Sequence, residues 1–455
     1  MTRKVRIKNR SDLLESGSIE AKELALELFE EGINSALPGR ATRDHIGISG
    51  RYLISGRERY NLDEIDRIFV LGGGKASLGM AKALDELLGP RISCGLVIVK
   101  EGEKERALET IKVVEAGHPV PDKRGVRATG ELLEIARSAG SRDLVVCLIS
   151  GGGSALMTSP LEGIKLDHVR ELTDQLLQSG ASIDEINTVR KHLSEVKGGR
   201  LARAIHPANV LSLIASDVVG DHPGFIASGP TAPESSDSGD ALNVLKRYGL
   251  QDRVSNTILN LLKDRDSGDP VGPVGEKEFS RFEVENQVII SNMTALSAIS
   301  DKARELEIPS HVLSTRLEGE SSCHGQVFGQ LTCSIYHENH PFSRPCVLLS
   351  GGEMTVTLTG EDGKGGPNQE FVLAGGLEIS GLPKTTIGAI DSDGEDGSTG
   401  IAGGILDGSS IPDESRVKSQ LRNHDSSPAL KELGGSIVTG PTGTNVNDLR
   451  LALVL

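Results

Sequence analysis

The sequence predicts an α/β protein of two domains, each a mostly parallel sheet flanked by helices, and three observations predict it. Apolar runs such as "LVVCLI" (144–149) do not alternate with polar residues, which is the pattern of strands buried on both faces. Helix-like segments, among them 125–138 and 166–179, separate those runs, and such alternation lays helices over a parallel sheet. The 55 glycines among 455 residues cluster after apolar runs, marking strand-to-loop junctions. A Rossmann-like arrangement follows, with the active site expected in a cleft between the domains, because ligands gather beyond the carboxyl ends of parallel strands.

Each element has its own signal. In 18–37, Ala21, Leu24, Ala25, Leu28 and Phe29 share one stripe, so an amphipathic helix is expected. "RIFVLGGGKASLGMAKALDELLG" (67–89) reads strand, glycine loop, helix. Strands are expected at "LVIV" (96–99), "IKVV" (111–114), "LVVCLI" and "VLSLI" (210–214). The pattern weakens from "APESSDSGD" (232–240), and "DRDSGDPVGPVGEKE" (264–278) has the composition of a linker. The expected division is therefore a first domain over 1–240, a linker region over 241–285 and a second domain over 286–455. In the last, strands are expected at "QVII" (287–290), "CVLLSGGE" (346–353), "TTIGAI" (385–390), "SIVTG" (436–440) and "LRLALVL" (449–455), with a helix over 294–306. "MTVTLT" (354–359) alternates strictly, so an antiparallel hairpin strand is expected there.

Composition excludes some functions. A net charge of −15 and 3% aromatic residues argue against nucleic-acid or anionic-membrane binding, which needs a basic footprint and stacking platforms. No run approaches the ~18 apolar residues of a membrane span. The basic start "MTRKVRIKNR" lacks the apolar segment of a signal peptide. Five widely spaced cysteines without a CxxC pair fit free thiols in a reducing compartment, so the cytoplasm is the expected location.

The chemistry-bearing motifs are glycine loops at strand ends. "LGGGKAS" (71–77) fails the GxxxxGK[ST] pattern, since Phe69 stands where its first glycine belongs and Ala76 follows the lysine. It keeps flexible backbone at Gly73 and Gly74, a helix start and Lys75, which together suit an anion. "ISGGGSA" (149–155) offers bare amides from Ser150 through Gly151, Gly152 and Gly153 to Ser154. "SDVVGDHPGFIASGPT" (216–231) carries Asp217 and Asp221, and "AIDSDGEDGSTG" (389–400) carries Asp391, Asp393, Glu395 and Asp396; acids there suit Mg²⁺ or a turn. "INTVRKHLSEVKGGRLA" (186–202) gathers Arg190, Lys191, His192, Lys197 and Arg200 in an acidic chain, on a solvated helix face or around an acidic substrate. Anion loops, one lysine, a basic helix and acids for a metal together fit phosphoryl transfer. Neither GxSxG nor a GxGxxG fingerprint is present.

These motifs, with "GHPVPD" (117–122), "GGPNQEFVLA" (365–374) and "TGPTGTNVNDL" (439–449), resemble the glycerate 2-kinase family, built of an N-terminal glycerate-kinase domain and a C-terminal MOFRL domain. The resemblance runs along nearly the whole chain in consistent order. It implies transfer of the γ-phosphoryl group of ATP, with Mg²⁺, to the 2-hydroxyl of D-glycerate. It implies Lys75, Arg190 and Asp217 as catalytic residues, Arg190 taking the substrate carboxylate with its planar fork. Ser150, Gly151, Gly152, Gly153, Ser154, Asn187 and Lys191 are implied for substrate binding. Gly73, Gly74, Gly352, Glu353, Asn368, Thr442 and Asn445 are implied for the nucleotide, and Asp217 and Asp393 for the metal. Two departures stand out. Pro367 occupies the place of an arginine in the family's usual Gly-Gly-Arg-Asn-Gln-Glu, so Lys75 or Arg190 is left to carry the charge assigned to it. Ser392 precedes Asp393 where the family usually begins Thr-Asp-Gly, which leaves open the acid that binds Mg²⁺. The competing readings are an NAD(P)H-dependent hydroxypyruvate reductase and a non-catalytic binder of small anions. The oligomeric state stays open, a homodimer included.

Overall fold

The structure, a computed structural model, describes residues 4–103, 108–264, 272–359 and 363–455. It divides into two compact units, Ala41–Ile289 and, joined from both chain ends, Met1–Arg40 with Ile290–Leu455. This differs from the expected division in two respects. The first forty residues belong with the second domain's sheet, and 241–285 is largely built into the first unit. Within that stretch lie helices Ser238–Arg247 and Asn256–Asp264, while 265–271 of the expected linker falls outside the described residues.

In Ala41–Ile289, strands β1 (Ile46–Ser49), β2 (Tyr52–Ser55) and β3 (Glu58–Asn61) form an antiparallel meander. The main sheet holds β4 (Ile68–Gly73), β5 (Ile92–Lys100), β6 (Ile111–Ala116), β7 (Leu144–Ser150), β8 (Asn209–Ala215) and β9 (Val284–Ile290), in the order β6-β5-β4-β7-β8-β9. Every pairing from β6 across to β8 is parallel. All seven residues of β7 are buried, as its unbroken apolar run requires. Leu71, Ile98, Cys147 and Ile149 meet Leu132 and Leu133 of the helix Lys123–Arg137 in the core beneath one face. A second cluster, with Leu172, Leu176, Ile186, Val189, Val244, Leu245 and Ile258, is made mainly by helices, and it holds Leu166–Gln178 and Ile183–His192 in place.

The other unit is a six-stranded sheet of β10 (Ser310–Glu320), β11 (Cys346–Thr355), β12 (Thr385–Asp391), β13 (Gly403–Asp407), β14 (Ser436–Ile437) and β15 (Asp448–Val454), ordered β10-β11-β15-β12-β13-β14. Its directions are mixed. β10 and β11 are parallel, whereas β15 lies antiparallel between β11 and β12, and β13 antiparallel between β12 and β14. Four strands therefore share one direction and two oppose them. The helix Ile19–Ser35 packs here through Phe29, whose ring fills the space a side chain at Gly388 of β12 would take, and through buried Lys22, 3.5 Å from Asp407 of β13. Of the expected hairpin strand 354–359, only Met354 and Thr355 are strand, the end of β11. Beyond them Leu358 is exposed and the Thr357 amide is taken by the Glu320 carboxylate, so the alternation has no ladder to join.

Candidate active site

The first site lies at the carboxyl edge of the parallel sheet, where four strands deliver chemistry-bearing residues. β4 and β7 end so close together that side chains are excluded. A Cβ at Gly72 would stand 2.1 Å from the Leu148 carbonyl, and one at Gly74, whose φ is +141°, 2.1 Å from Ser150 Oγ. The contact is then locked by polar groups: Lys75 N donates to Gly151 O at 2.9 Å and Ala76 N to Ser150 Oγ at 3.0 Å. Lys75 thus begins the turn into the helix Ser77–Leu88 with its backbone pinned and its side chain exposed.

The three glycines after Ser150 serve close approach. A Cβ at Gly151 would fall 1.9 Å from Asp217 Oδ2, at the end of β8. At Gly152, φ is +80°, and a Cβ would sit 3.0 Å from His118 Nε2 and 3.2 Å from Lys75 Cγ. Lys75, His118 and Asp217 therefore surround one bare dipeptide. Burial raises the Asp217 carboxyl above its ordinary range, and Lys75 opposes that shift. His118, from "GHPVPD" after β6, is held low by burial and by Lys75 and Lys100, which leaves its imidazole neutral near pH 7.

Helix Ile183–His192 begins with a capping box, Ser182 Oγ accepting from the Glu185 amide and the Glu185 carboxylate accepting from the Ser182 amide. Ser182→Ala is expected to destabilise this unit by about 1 kcal/mol in denaturant unfolding, the usual worth of such a cap. From this helix Asn187 Oδ1 meets Ser228 Oγ at 3.2 Å, and Ser228 meets Ser154 Oγ at 2.8 Å. Arg190 Nη2 donates to the Ser154 carbonyl at 3.0 Å, and Lys197 Nζ donates to the same carbonyl at 2.6 Å. Burial pulls the Arg190 guanidinium down to about 10. Lys191, expected at the substrate, is turned elsewhere: its Nζ lies 2.5 Å from Glu234 Oε2 in a buried ion pair. The structure thus brings Gly73, Gly74, Lys75, Ser150 to Ser154, Asn187, Arg190 and Asp217 into one neighbourhood, without the Lys191 side chain. Sequence reasoning did not single out His118, Ser228 or Glu234. Only the proline-rich turn after an apolar run marked the first.

In the other unit Asn368, one of the residues expected at the nucleotide, is bonded into a buried acidic network. Asn368 Nδ2 donates to Asp448 Oδ1 at 2.5 Å and to Asp396 Oδ1 at 3.2 Å, and the Asn368 and Gln369 amides both donate to Asp396 at 3.0 Å. Fully buried Arg450 pairs with Asp448 and lies 5.5 Å from the Phe371 ring centroid. Asn368 is itself wholly buried. Thr442 donates from its hydroxyl to the Ser392 carbonyl at 2.6 Å and from its amide to the Asp393 carbonyl at 3.1 Å. Asn445 accepts from the Asn447 amide, and Asp393 accepts from the Glu395 amide. Gly352, with φ +118°, lies where a Cβ would be 2.3 Å from the Leu317 carbonyl, and the neighbouring Glu353 is exposed. Pro367 opens the helix Pro367–Glu378, a position where a missing N–H costs nothing. Among the described residues, no group of three or more His, Cys, Asp or Glu side chains is arranged to hold a metal ion.

Burial, outweighing hydrogen bonds from Asn368 and Gln369, raises the Asp396 carboxyl to about 6. An unfolded aspartate titrates near 3.9, so between about pH 4 and 6 the folded state binds more protons than the unfolded one, and stability falls as pH rises. Calorimetric melting across that window is expected to show Asp396→Asn gaining stability relative to wild type as pH rises, because the variant lacks this titration.

Residues 24–263 match the family described as a domain of unknown function, DUF4147, and residues 346–448 match the MOFRL family. Together these define the two-domain glycerate kinase family, to which the chain belongs. A glycerate 2-kinase of Pyrococcus horikoshii is 40% identical over 96% of this chain and 98% of its own. The crystal structure of a glycerate kinase from Thermotoga maritima, 36% identical, superposes with a TM-score of 0.83 over 95% of this chain and 99% of its own. A relative from Agrobacterium vitis, 34% identical over 96% of this chain and 95% of its own, carries the name hydroxypyruvate reductase.

Proposed function

We propose that the protein is a glycerate 2-kinase, transferring the γ-phosphoryl group of ATP to the 2-hydroxyl of D-glycerate to give 2-phosphoglycerate and ADP. One observation carries the reading for this chain's own residues. Lys75 and Asp217 flank the bare Gly151–Gly152 backbone at the sheet's carboxyl edge, in the order that phosphoryl transfer needs: cation, amide cradle, carboxylate. Lys75 neutralises the charge that develops on the transferring group, and amides of the 151–154 turn hold its oxygens. Asp217 accepts a hydrogen bond from the 2-hydroxyl and aims that oxygen in line with the phosphorus. Arg190 takes the substrate carboxylate, with Asn187 and Ser228 setting the position of Ser154.

Mg²⁺ usually keeps several waters and binds through one or two carboxylates plus substrate phosphates. Asp217 fits that demand, since its carboxylate reaches into space left open by a glycine. When bound, the ion would withdraw charge from the transferring phosphate. In the second unit Gly352, Glu353, Thr442 and Asn445, with Asp393, are the residues assigned to nucleotide and metal; Asn368 supports them through Asp396 and Asp448. A cytoplasmic location fits five cysteines that are all free, and no helix among the described residues is long and apolar enough to cross a membrane.

The name of the Agrobacterium relative gives the second reading a concrete form. Incubation with hydroxypyruvate and NADH or NADPH, beside D-glycerate with ATP and Mg²⁺, separates the two. ADP release with no nicotinamide oxidation is expected, and nicotinamide oxidation without ADP would replace the kinase with the reductase.

A further inference from the structure

Behind the glycine turn lies a cavity of about 340 Å³. Its buried side presents Arg190 and Lys197, and its walls include the apolar side chains of Val120, Val169, Leu177 and Ile183. Two features of the cations are unusual. Lys197 is 97% buried by its 3% exposure, yet its hydrogen bonds go to the Ser154 and Met157 carbonyls and to no carboxylate. Arg190 likewise gives Nη2 to the Ser154 carbonyl and leaves Nε buried without a partner. Lys191 nearby is neutralised by Glu234, and Asp174, the acid that lines the cavity, is not among the groups acting on either Arg190 or Lys197. Buried charges are normally paired, so a buried Lys197 beside a half-buried Arg190, neither of them hydrogen-bonded to a carboxylate, calls for an anion from outside.

The cavity also exceeds what a three-carbon acid fills. Sites of roughly 300–1,000 Å³ hold drug-sized ligands, with mostly apolar walls and a few convergent polar groups. Glycerate offers a carboxylate to the cations but nothing to the four apolar side chains. Three of these are exposed: Val120 (59%), Leu177 (57%) and Ile183 (64%).

We infer that Arg190 and Lys197 together form the carboxylate seat, and that the apolar cavity beside it admits 2-hydroxy acids with an apolar substituent on C3, a class of acceptor beyond glycerate. The inference rests on the kinase reading for the transfer itself, in which the acid's 2-hydroxyl oxygen forms the new P–O bond and ADP leaves. Lys197 also ties down Ser154, so it fixes the turn as well as charging the seat.

The test uses the full chain with D-glycerate, D-2-hydroxyisovalerate and D-phenyllactate, read as ADP release with ATP and Mg²⁺ and as heat of binding by titration calorimetry. Wild type is expected to bind and turn over the apolar acids. Lys197→Met is expected to raise KM for every acid by about 10–100-fold, the range for losing a charged hydrogen bond, with a much smaller change in kcat. Leu177→Glu, at an exposed position, is expected to lower the ratio of kcat/KM for the apolar acids to that for glycerate. Glycerate turnover with neither binding nor turnover of the apolar acids overturns the inference and leaves the kinase reading intact. Binding of the apolar acids, lost in Lys197→Met, with no ADP from any acid defeats the kinase reading and sustains the seat. A Lys197→Met protein that melts like wild type with unchanged KM overturns the seat. Should that variant fail to fold, an unaltered ratio in Leu177→Glu overturns the cavity assignment. Displacement of bound acid by adenosine, which has no carboxylate, overturns it as well.

Discussion

Replacing Lys75 by methionine is expected to lower kcat for D-glycerate by about 10³-fold while leaving the melting temperature near that of wild type. The magnitude follows from removing a preorganised electrostatic group at the point where charge develops, which in other enzymes costs about 10²–10³, and from the larger losses on removing an arginine finger in phosphoryl transfer. Two features make the substitution clean. Lys75 is exposed, and the backbone bonds that fix the turn, from Lys75 N to Gly151 O and from Ala76 N to Ser150 Oγ, do not involve its side chain. The substitution therefore separates chemistry from folding. A loss of less than about tenfold would assign that charge to Arg190 instead.

Arg450→Met carries the largest expected effect on stability. Arg450 is fully buried on β15, paired with Asp448, and acts on Asp396 and Asp391 as well. Burial pulls its guanidinium down, and those three acids pull it back. Removing the cation leaves Asp448, Asp396 and Asp391 facing one another in a dry site, and breaking a buried pair by deleting one partner typically costs about 3–5 kcal/mol. Calorimetry is expected to show the loss. Adding Asp448→Leu to Arg450→Met is expected to recover part of it, because the orphaned charge is then gone as well. A single variant within about 1 kcal/mol of wild type contradicts the assignment, as would a double variant whose two losses simply add.

How far the sequence revealed this molecule depended on whether a signal was local. The strands at 96–99, 111–114, 144–149 and 210–214 were legible because burial on both faces leaves no polar alternation, and β5 to β8 contain them. The glycine turns were legible because a Cβ at those strand ends would fall about 2–3 Å from a neighbouring segment, which only glycine avoids. Partnership between distant segments was not legible. The stripe of 18–37 correctly indicated a helix, but an amphipathic pattern does not name the sheet it covers, and Phe29 finds Gly388 far along the chain. Arg190 and Lys191 are adjacent, so about 100° of helix rotation separates them, and one reaches Ser154 while the other reaches Glu234. Nothing in "TVRKHL" distinguishes their targets. Arg450 was hidden for the opposite reason, since one arginine inside "LRLALVL" does not disturb a strand pattern. Its role emerges only when β15 is inserted between β11 and β12, which brings Asp448 opposite Asp391.

The site assignments share one claim, that the carboxyl edge of the parallel sheet transfers a phosphoryl group to the 2-hydroxyl of D-glycerate. Enolase acts on 2-phosphoglycerate and not on its 3-isomer. Purified protein incubated with ATP, Mg²⁺ and D-glycerate, monitored at once for ADP and, through added enolase, for phosphoenolpyruvate, therefore reads both the transfer and its position. ADP and phosphoenolpyruvate are predicted to rise together, in the ratio that the enolase equilibrium sets. ADP without phosphoenolpyruvate would place the phosphoryl group elsewhere, and the absence of both would contradict the kinase.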